Sequence, residues 1–152
     1  MGVRMTLAAA VLAAAVGLKT PGVVSGNDSK RLPESSVQKT TKDKLYTKEQ
    51  ATRGAKLYVE HCERCHTPEK VPEGKKPGPP VVGAKFLETW VDRPLGELYA
   101  TILNTMPSDG SAVLTAEQTL DSVAYLLQAN GFPDGPAPLK NDDAMKTAII
   151  VK

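Results

Sequence analysis

The sequence predicts an all-α domain, and three observations carry that prediction. Thr47-Lys48-Glu49-Gln50 and Thr115-Ala116-Glu117-Gln118 both have the capping-box pattern, a Thr at the N-cap and a Gln three residues on. Apolar residues after each box, and again from Leu95 to Asn104, recur at the spacing of one helix face. The longest interruption, Thr67 to Gly83, holds five prolines and three glycines and reads as loop. At 152 residues one domain with one core is expected.

The elements follow in chain order. Arg4 and the apolar run Met5 to Leu18 have the pattern of a signal peptide over residues 1–25. Val23-Val24-Ser25 offers small residues for cleavage before Gly26, and Ala13-Ala14-Ala15 is a poorer site inside the apolar run. The run is shorter than the ~20 residues of a membrane span, so no stable membrane insertion is expected after cleavage. Residues 26–44 are polar and predict a flexible tether, with order beginning at Leu45-Tyr46 and a domain over 45–152. A helix is expected from Lys48 to His61, with Ala51, Gly54, Ala55 and Tyr58 at helical spacing. Gly54 would let another helix approach closely.

After the Pro/Gly loop, Ala84 to Thr89 predicts a short helix. Pro94 suits the start of the next one, whose stripe is Leu95, Leu98, Tyr99, Ile102 and Leu103. The helix after Thr115 should bury Leu120, Val123, Ala124 and Leu127 and stop at Asn130-Gly131. Ala144 to Val151 predicts a last turn or a short strand packed on the body. No internal repeat is present.

The chemistry lies in Cys62-Glu63-Arg64-Cys65-His66. This C-x-x-C-H spacing marks c-type haem attachment. Two thiols three positions apart can add to the two vinyl groups of one porphyrin, and the next residue, His66, then lies under the ring as the proximal iron ligand. These are the only two cysteines of the chain. With one Trp and two Phe, the domain is poor in large aromatic residues, and one covalent haem c would supply core volume.

A second axial ligand is found by elimination. His61 directly precedes Cys62, and attachment there keeps it from the iron. Beyond the signal only Met106 and Met145 remain as methionines. Met106 follows an apolar helix and precedes Pro107, whose fixed φ can orient the thioether. Met145 stands in a polar tail and is read as a core residue. The iron ligands are therefore read as His66 and Met106. A proximal histidine usually donates its second N–H to a carbonyl, and Gly78-Pro79-Pro80 can supply one or can simply stiffen the loop. Trp90, the only indole, either hydrogen-bonds a haem propionate or is an ordinary half-buried Trp. Arg93 either helps to neutralise that propionate or is solvated.

From Tyr46 to Gly135 the chain resembles class I, single-haem bacterial cytochromes c. The residues that carry the resemblance are Gly54, Tyr58, the C-x-x-C-H motif, Gly78-Pro79, Gly83, Met106-Pro107 and Val123-Ala124-Tyr125-Leu126. The resemblance implies the cytochrome c fold, a crossing of the first and last helices at Gly54, Tyr58 and Tyr125, and a Pro79 carbonyl that receives the N–H of His66. Tyr46 to Gln50, Phe86 to Trp90, Leu95 to Tyr99 and Asn130 to Gly135 are similar to cytochrome domains associated with pyrroloquinoline-quinone (PQQ) dehydrogenases.

The function expected is a periplasmic one-electron carrier, not an enzyme, with a dehydrogenase as donor and a terminal acceptor. An alternative is a dedicated cytochrome subunit of a quinoprotein dehydrogenase complex. A haem peroxidase would need an open axial site or a second haem. A thiol oxidoreductase would expect a βαβ setting, and a zinc site would need further ligands. Charge excludes little but is informative. Without Arg4 and Lys19, 17 basic residues face 17 acidic ones, so the basic pI does not argue for nucleic acid. Lys75, Lys76 and Lys85 either contact a redox partner or keep the loop solvated.

Overall fold

The computed structural model describes Gly2 and residues 37–152. The expected signal peptide (Gly2 apart) and residues 26–36 of the expected tether lie outside the described residues. Among the described residues are six α-helices: α1 (Lys48–Leu57), α2 (Glu63–His66), α3 (Ala84–Trp90), α4 (Leu95–Thr105), α5 (Ala116–Ala129) and α6 (Asp143–Thr147). The described residues contain no strand beyond isolated bridges at Thr40, Pro94 and Ile149.

Both capping boxes form as the sequence predicts. The Thr47 hydroxyl accepts the Gln50 N–H and the Thr115 hydroxyl the Gln118 N–H, and each Gln side chain returns to its cap backbone. These local bonds fix where α1 and α5 begin, and hence which faces they present. The two helices then pack on each other. A Cβ at Gly54 would lie 1.9 Å from the Asp121 carbonyl oxygen and 2.8 Å from the Tyr125 Cβ, so only glycine permits this approach. One turn on, the Tyr58 and Tyr125 rings meet at 5.1 Å between centroids, tilted by 42°. Beside the crossing, Arg53 grips both carboxylate oxygens of Asp121 at 2.7 Å. Leu95, Leu98, Tyr99 and Ile102 of α4 and Val123, Ala124 and Leu127 of α5 fill the core.

Three features differ from the sequence reading. The first helix does not run unbroken to His61. After Leu57 the chain widens into a π-helical turn, Tyr58–Cys62, in which the Glu63 N–H bonds the Tyr58 carbonyl, before α2 resumes α-geometry. The extra residue per turn rotates the side chains that follow relative to α1, a device common beside functional sites.

Order also begins earlier than Leu45. Thr41 is fully buried although it lies in the stretch read as tether. Its N–H bonds the Ile149 carbonyl at 3.0 Å, and Ile149 N–H bonds the Lys39 carbonyl at 2.9 Å. Its hydroxyl accepts the Val151 N–H at 3.2 Å. A polar residue can be buried this way at little cost because its N–H and its hydroxyl are both paired.

The C-terminal residues, expected as a last turn or a short strand, instead form a short helix followed by an extended stretch held by isolated bridges. Asp142 caps α6, and the extended residues after it lie between 39–41 on one side and 92–94 on the other. Met145 is buried at 2% exposure, in the core as the sequence reading has it.

Candidate functional site

A cleft partly open to solvent is walled by the π-turn and α2, by residues 79–81, by α3, by α4 with the loop after it, and by α5. Cys62, Cys65, His66, Pro79, Trp90 and Met106 all line it. Met145 does not.

Cys62 and Cys65 stand one helical turn apart and are not joined in a disulfide. Burial pushes the Cys62 thiol above its ordinary pKa, and the adjacent Cys65 adds to the shift. The backbone of the motif is tied to the Pro/Gly loop by the Gly78 N–H, which bonds the Cys65 carbonyl at 2.8 Å. That bond brings the loop against His66, whose Nδ1 lies 2.7 Å from the Pro79 carbonyl oxygen. A carbonyl can only accept, so Nδ1 carries the proton and Nε2 keeps its lone pair. Gly78 eases this approach, since a Cβ there would stand a tight 3.0 Å from both Nδ1 and Cε1 of the ring. The sequence reading left open whether the prolines stiffen the loop or orient the histidine; here the Pro79 carbonyl meets the ring. One residue beyond, the Thr67 hydroxyl pairs with the Tyr58 phenol at 3.0 Å.

Met106 follows the last residue of α4, and its N–H closes the helix on the Ile102 carbonyl at 3.1 Å. Its side chain packs against the apolar core and faces the same cleft as the motif. His61 also lines the cleft, with its ring 3.6 Å from the Glu60 carboxylate.

Trp90 contributes part of the α3 wall, and among the described residues no acceptor meets its indole N–H. Arg93 does not reach the cleft. Its guanidinium sits 4.4 Å from the centre of the Trp90 ring, and its Nε donates to Glu97 at 2.8 Å. In this structure Arg93 makes an i,i+4 ion pair with Glu97 beside Trp90. Lys85 is likewise paired, with Glu88 at 3.0 Å.

Two features of the site went unread in the sequence. Asn130 was read only as a helix stop. Its carboxamide in fact accepts the Gly83 N–H at 2.8 Å and donates to the Val81 carbonyl at 3.0 Å, fixing the end of the Pro/Gly loop to α5. Arg64, between the two cysteines, pairs with Asp109 in the loop after Met106. Neither residue carries a motif that would have announced it.

The donor set fits a haem. Two free thiols, an imidazole nitrogen with its second nitrogen already bonded, and a thioether share one largely apolar cleft. Among the described residues no group of three or more His, Cys, Asp or Glu side chains could hold a bare metal ion, which a zinc site would require. No helix of the described residues is long and apolar enough to cross a membrane.

Comparison with known proteins agrees with this chemistry. No curated protein and no solved structure matches the chain. The family model described as cytochrome c oxidase, cbb3-type, subunit III matches residues 49–126, just over half of the chain, from the first turn of α1 to near the end of α5. The chain therefore belongs to this family, as an all-α cytochrome c domain that carries covalently bound haem c and serves electron transfer.

Proposed function

We propose that the protein is an exported one-electron carrier in which Cys62 and Cys65 hold the haem as thioethers and His66 and Met106 ligate its iron. The observation that carries this reading is the cleft shared by both cysteines, His66 and Met106, with the His66 Nδ1 bonded to the Pro79 carbonyl. When bound, the haem supplies reversible one-electron chemistry at its iron. The protein's part is to hold and tune. The Pro79 carbonyl fixes the ring of His66 and leaves Nε2 free to ligate. The Met106 thioether would be the second iron ligand, and such ligation would raise the potential and leave no position for oxygen or peroxide. Trp90 lends an unpaired indole N–H that suits a propionate.

The signal-like residues 1–25 support export to the periplasm. The family description names a subunit of a terminal oxidase, which supports an oxidase as the acceptor side. A quinoprotein dehydrogenase as donor, or a dedicated subunit role beside it, rests on the similarity of Phe86–Trp90 and Asn130–Gly135 to such cytochrome domains.

The absorption spectrum tests the ligation. The oxidised protein is expected to show a weak sulfur-to-iron band near the red end. Met106→Ala should abolish it and lower the potential. Met145→Ala should leave the band intact while losing about 2–5 kcal/mol of stability, as a buried Met truncated in the core does. Loss of the band in Met145→Ala with retention in Met106→Ala would overturn the assignment. Steady-state turnover of alcohol, sugar or peroxide by the isolated protein would overturn the carrier reading.

A further inference from the structure

The loop after Met106 is held by unusually little. Its own turn closes through the Gly110 N–H on the Pro107 carbonyl at 3.1 Å and the Ser111 N–H on Asp109 Oδ1 at 3.0 Å. Leu114 is buried and anchors the far end, whereas Val113 is 92% exposed. Between those anchors one polar contact leaves the loop: Asp109 Oδ2 pairs with the Arg64 guanidinium. Among the described residues no other hydrogen bond or ion pair joins 107–113 to another part of the chain. Arg64 belongs to α2, between the two cysteines and two residues before His66. The pair thus joins the segment that would carry the haem to the loop that would carry its second ligand. Asp109 itself lines the cleft.

We propose that Arg64 and Asp109 form a latch across the cleft, two positioning residues that hold the Met106 loop closed and set how readily Met106 yields its place to an outside ligand. The proposal rests on the reading of Met106 as an axial ligand. The physical argument is one of populations. For an outside ligand to enter, the Met106 loop must swing away, and the open state is disfavoured by whatever contacts it loses. The loop loses one ion pair. Its side chains are 50% and 43% exposed, so water screens them, and the pair shifts the balance modestly, by about two- to fivefold. Such a weak latch suits a loop that has to stay shut without being rigid.

Imidazole titration of the oxidised, haem-loaded protein, followed by absorbance, tests this. Asp109→Asn keeps the acceptor for the Ser111 N–H and removes only the charge. It should raise imidazole affinity about two- to fivefold, and Arg64→Gln should do the same. Arg64→Lys, which keeps the charge, should stay near wild type. The double variant should bind no tighter than either single one, because both remove the same interaction. In a Met106→Ala background, where the site is already open, Asp109→Asn should have no effect.

The two ideas fail differently. Wild-type imidazole affinity in Met106→Ala would overturn the ligation reading and the latch with it. A large rise in Met106→Ala together with unchanged affinity in Asp109→Asn and Arg64→Gln would overturn the latch alone. So would increases that simply multiply in the double variant.

Discussion

The crossing of α1 and α5 and the loops that border the cleft are held by different means. The crossing is dense. Backbone meets backbone at Gly54 and Asp121, two tyrosine rings pack against each other, and Arg53 binds Asp121 at two points. The ends are tied as well: the Tyr46 phenol, just before α1, donates to the Phe132 carbonyl, just after α5, at 2.6 Å. The loops rely on a few scattered polar contacts, such as His66 with Pro79, Asn130 with Val81 and Gly83, and Arg64 with Asp109. Each of those contacts involves a residue in or next to the cleft. A change in the crossing should therefore be felt as lost stability, and a change in the loops as altered behaviour of the site.

Of the changes that compare the crossing with the loops, Gly54→Ala should have the largest effect. A helical Gly→Ala exchange alone would gain about 1 kcal/mol. Here the new Cβ would sit 1.9 Å from a backbone oxygen, which cannot rotate away as a side chain would. The helices must separate, and such overpacking costs roughly 1–3 kcal/mol. The melting temperature of the haem-loaded protein should fall by several degrees, while the exposed change Lys42→Leu should leave it nearly unmoved. Equal melting temperatures would mean that the crossing is not the firm region.

A smaller effect, with a pH signature, is expected from Tyr46→Phe. The phenol is buried at 1% exposure, and its removal strands the Phe132 carbonyl, at a cost of about 1–2 kcal/mol at neutral pH. Burial, and secondarily the charge of Asp134, push the Tyr46 pKa from 10.0 up to about 12. A raised pKa means that the folded state favours the neutral phenol. The stability it contributes is whole below pH 10.0 and is lost as pH climbs toward about 12. Wild type should therefore exceed Tyr46→Phe in stability at pH 7, and the gap should close between those two values in alkaline denaturant titrations. A gap that stays constant across the window would show that the phenol is not buried in the folded state.

The same division governs what could be read from the sequence. Capping boxes and helical stripes are local signals, so the start of α1 and of α5 was legible from Thr47 and Thr115. The C-x-x-C-H spacing was legible because covalent chemistry dictates it, and the Gly78-Pro79 turn because a backbone carbonyl needs no special side chain. The pinned segment at Thr41 was not legible: its polar composition is that of a tether, and only pairing with Ile149 and Val151 makes it buried structure. The π-turn at Tyr58–Cys62 leaves no compositional trace. Arg64 and Asp109 are ordinary surface residues far apart in sequence, and only the closed fold brings them together. Pairings between distant polar residues are where a single sequence is silent.

The smallest expected change in stability, and the most telling one at the site, is that of Gly78→Ala. It is the same exchange as at Gly54, made in the other region. The new Cβ would stand 3.0 Å from Nδ1 and Cε1 of His66 and 3.4 Å from the Cys65 carbonyl oxygen. Relief needs a few tenths of an ångström, and the loop can give it, because one backbone bond and one histidine contact hold it there. The loss of stability should stay below about 1 kcal/mol, under the usual range for an overpacked core. The movement falls on the 2.7 Å bond between Nδ1 and the Pro79 carbonyl. With His66 as an iron ligand, as proposed above, a longer bond would make the imidazole a weaker donor, disfavour the oxidised iron and raise the potential. Weakening by about 0.5 kcal/mol corresponds to about 20 mV for a one-electron couple. Voltammetry of wild type and variant would read the shift, and thermal melts would read the stability. A potential that does not move, beside a melting temperature depressed as far as that of Gly54→Ala, would mean that the loop belongs to the rigid frame and that the Pro79 carbonyl does not tune His66.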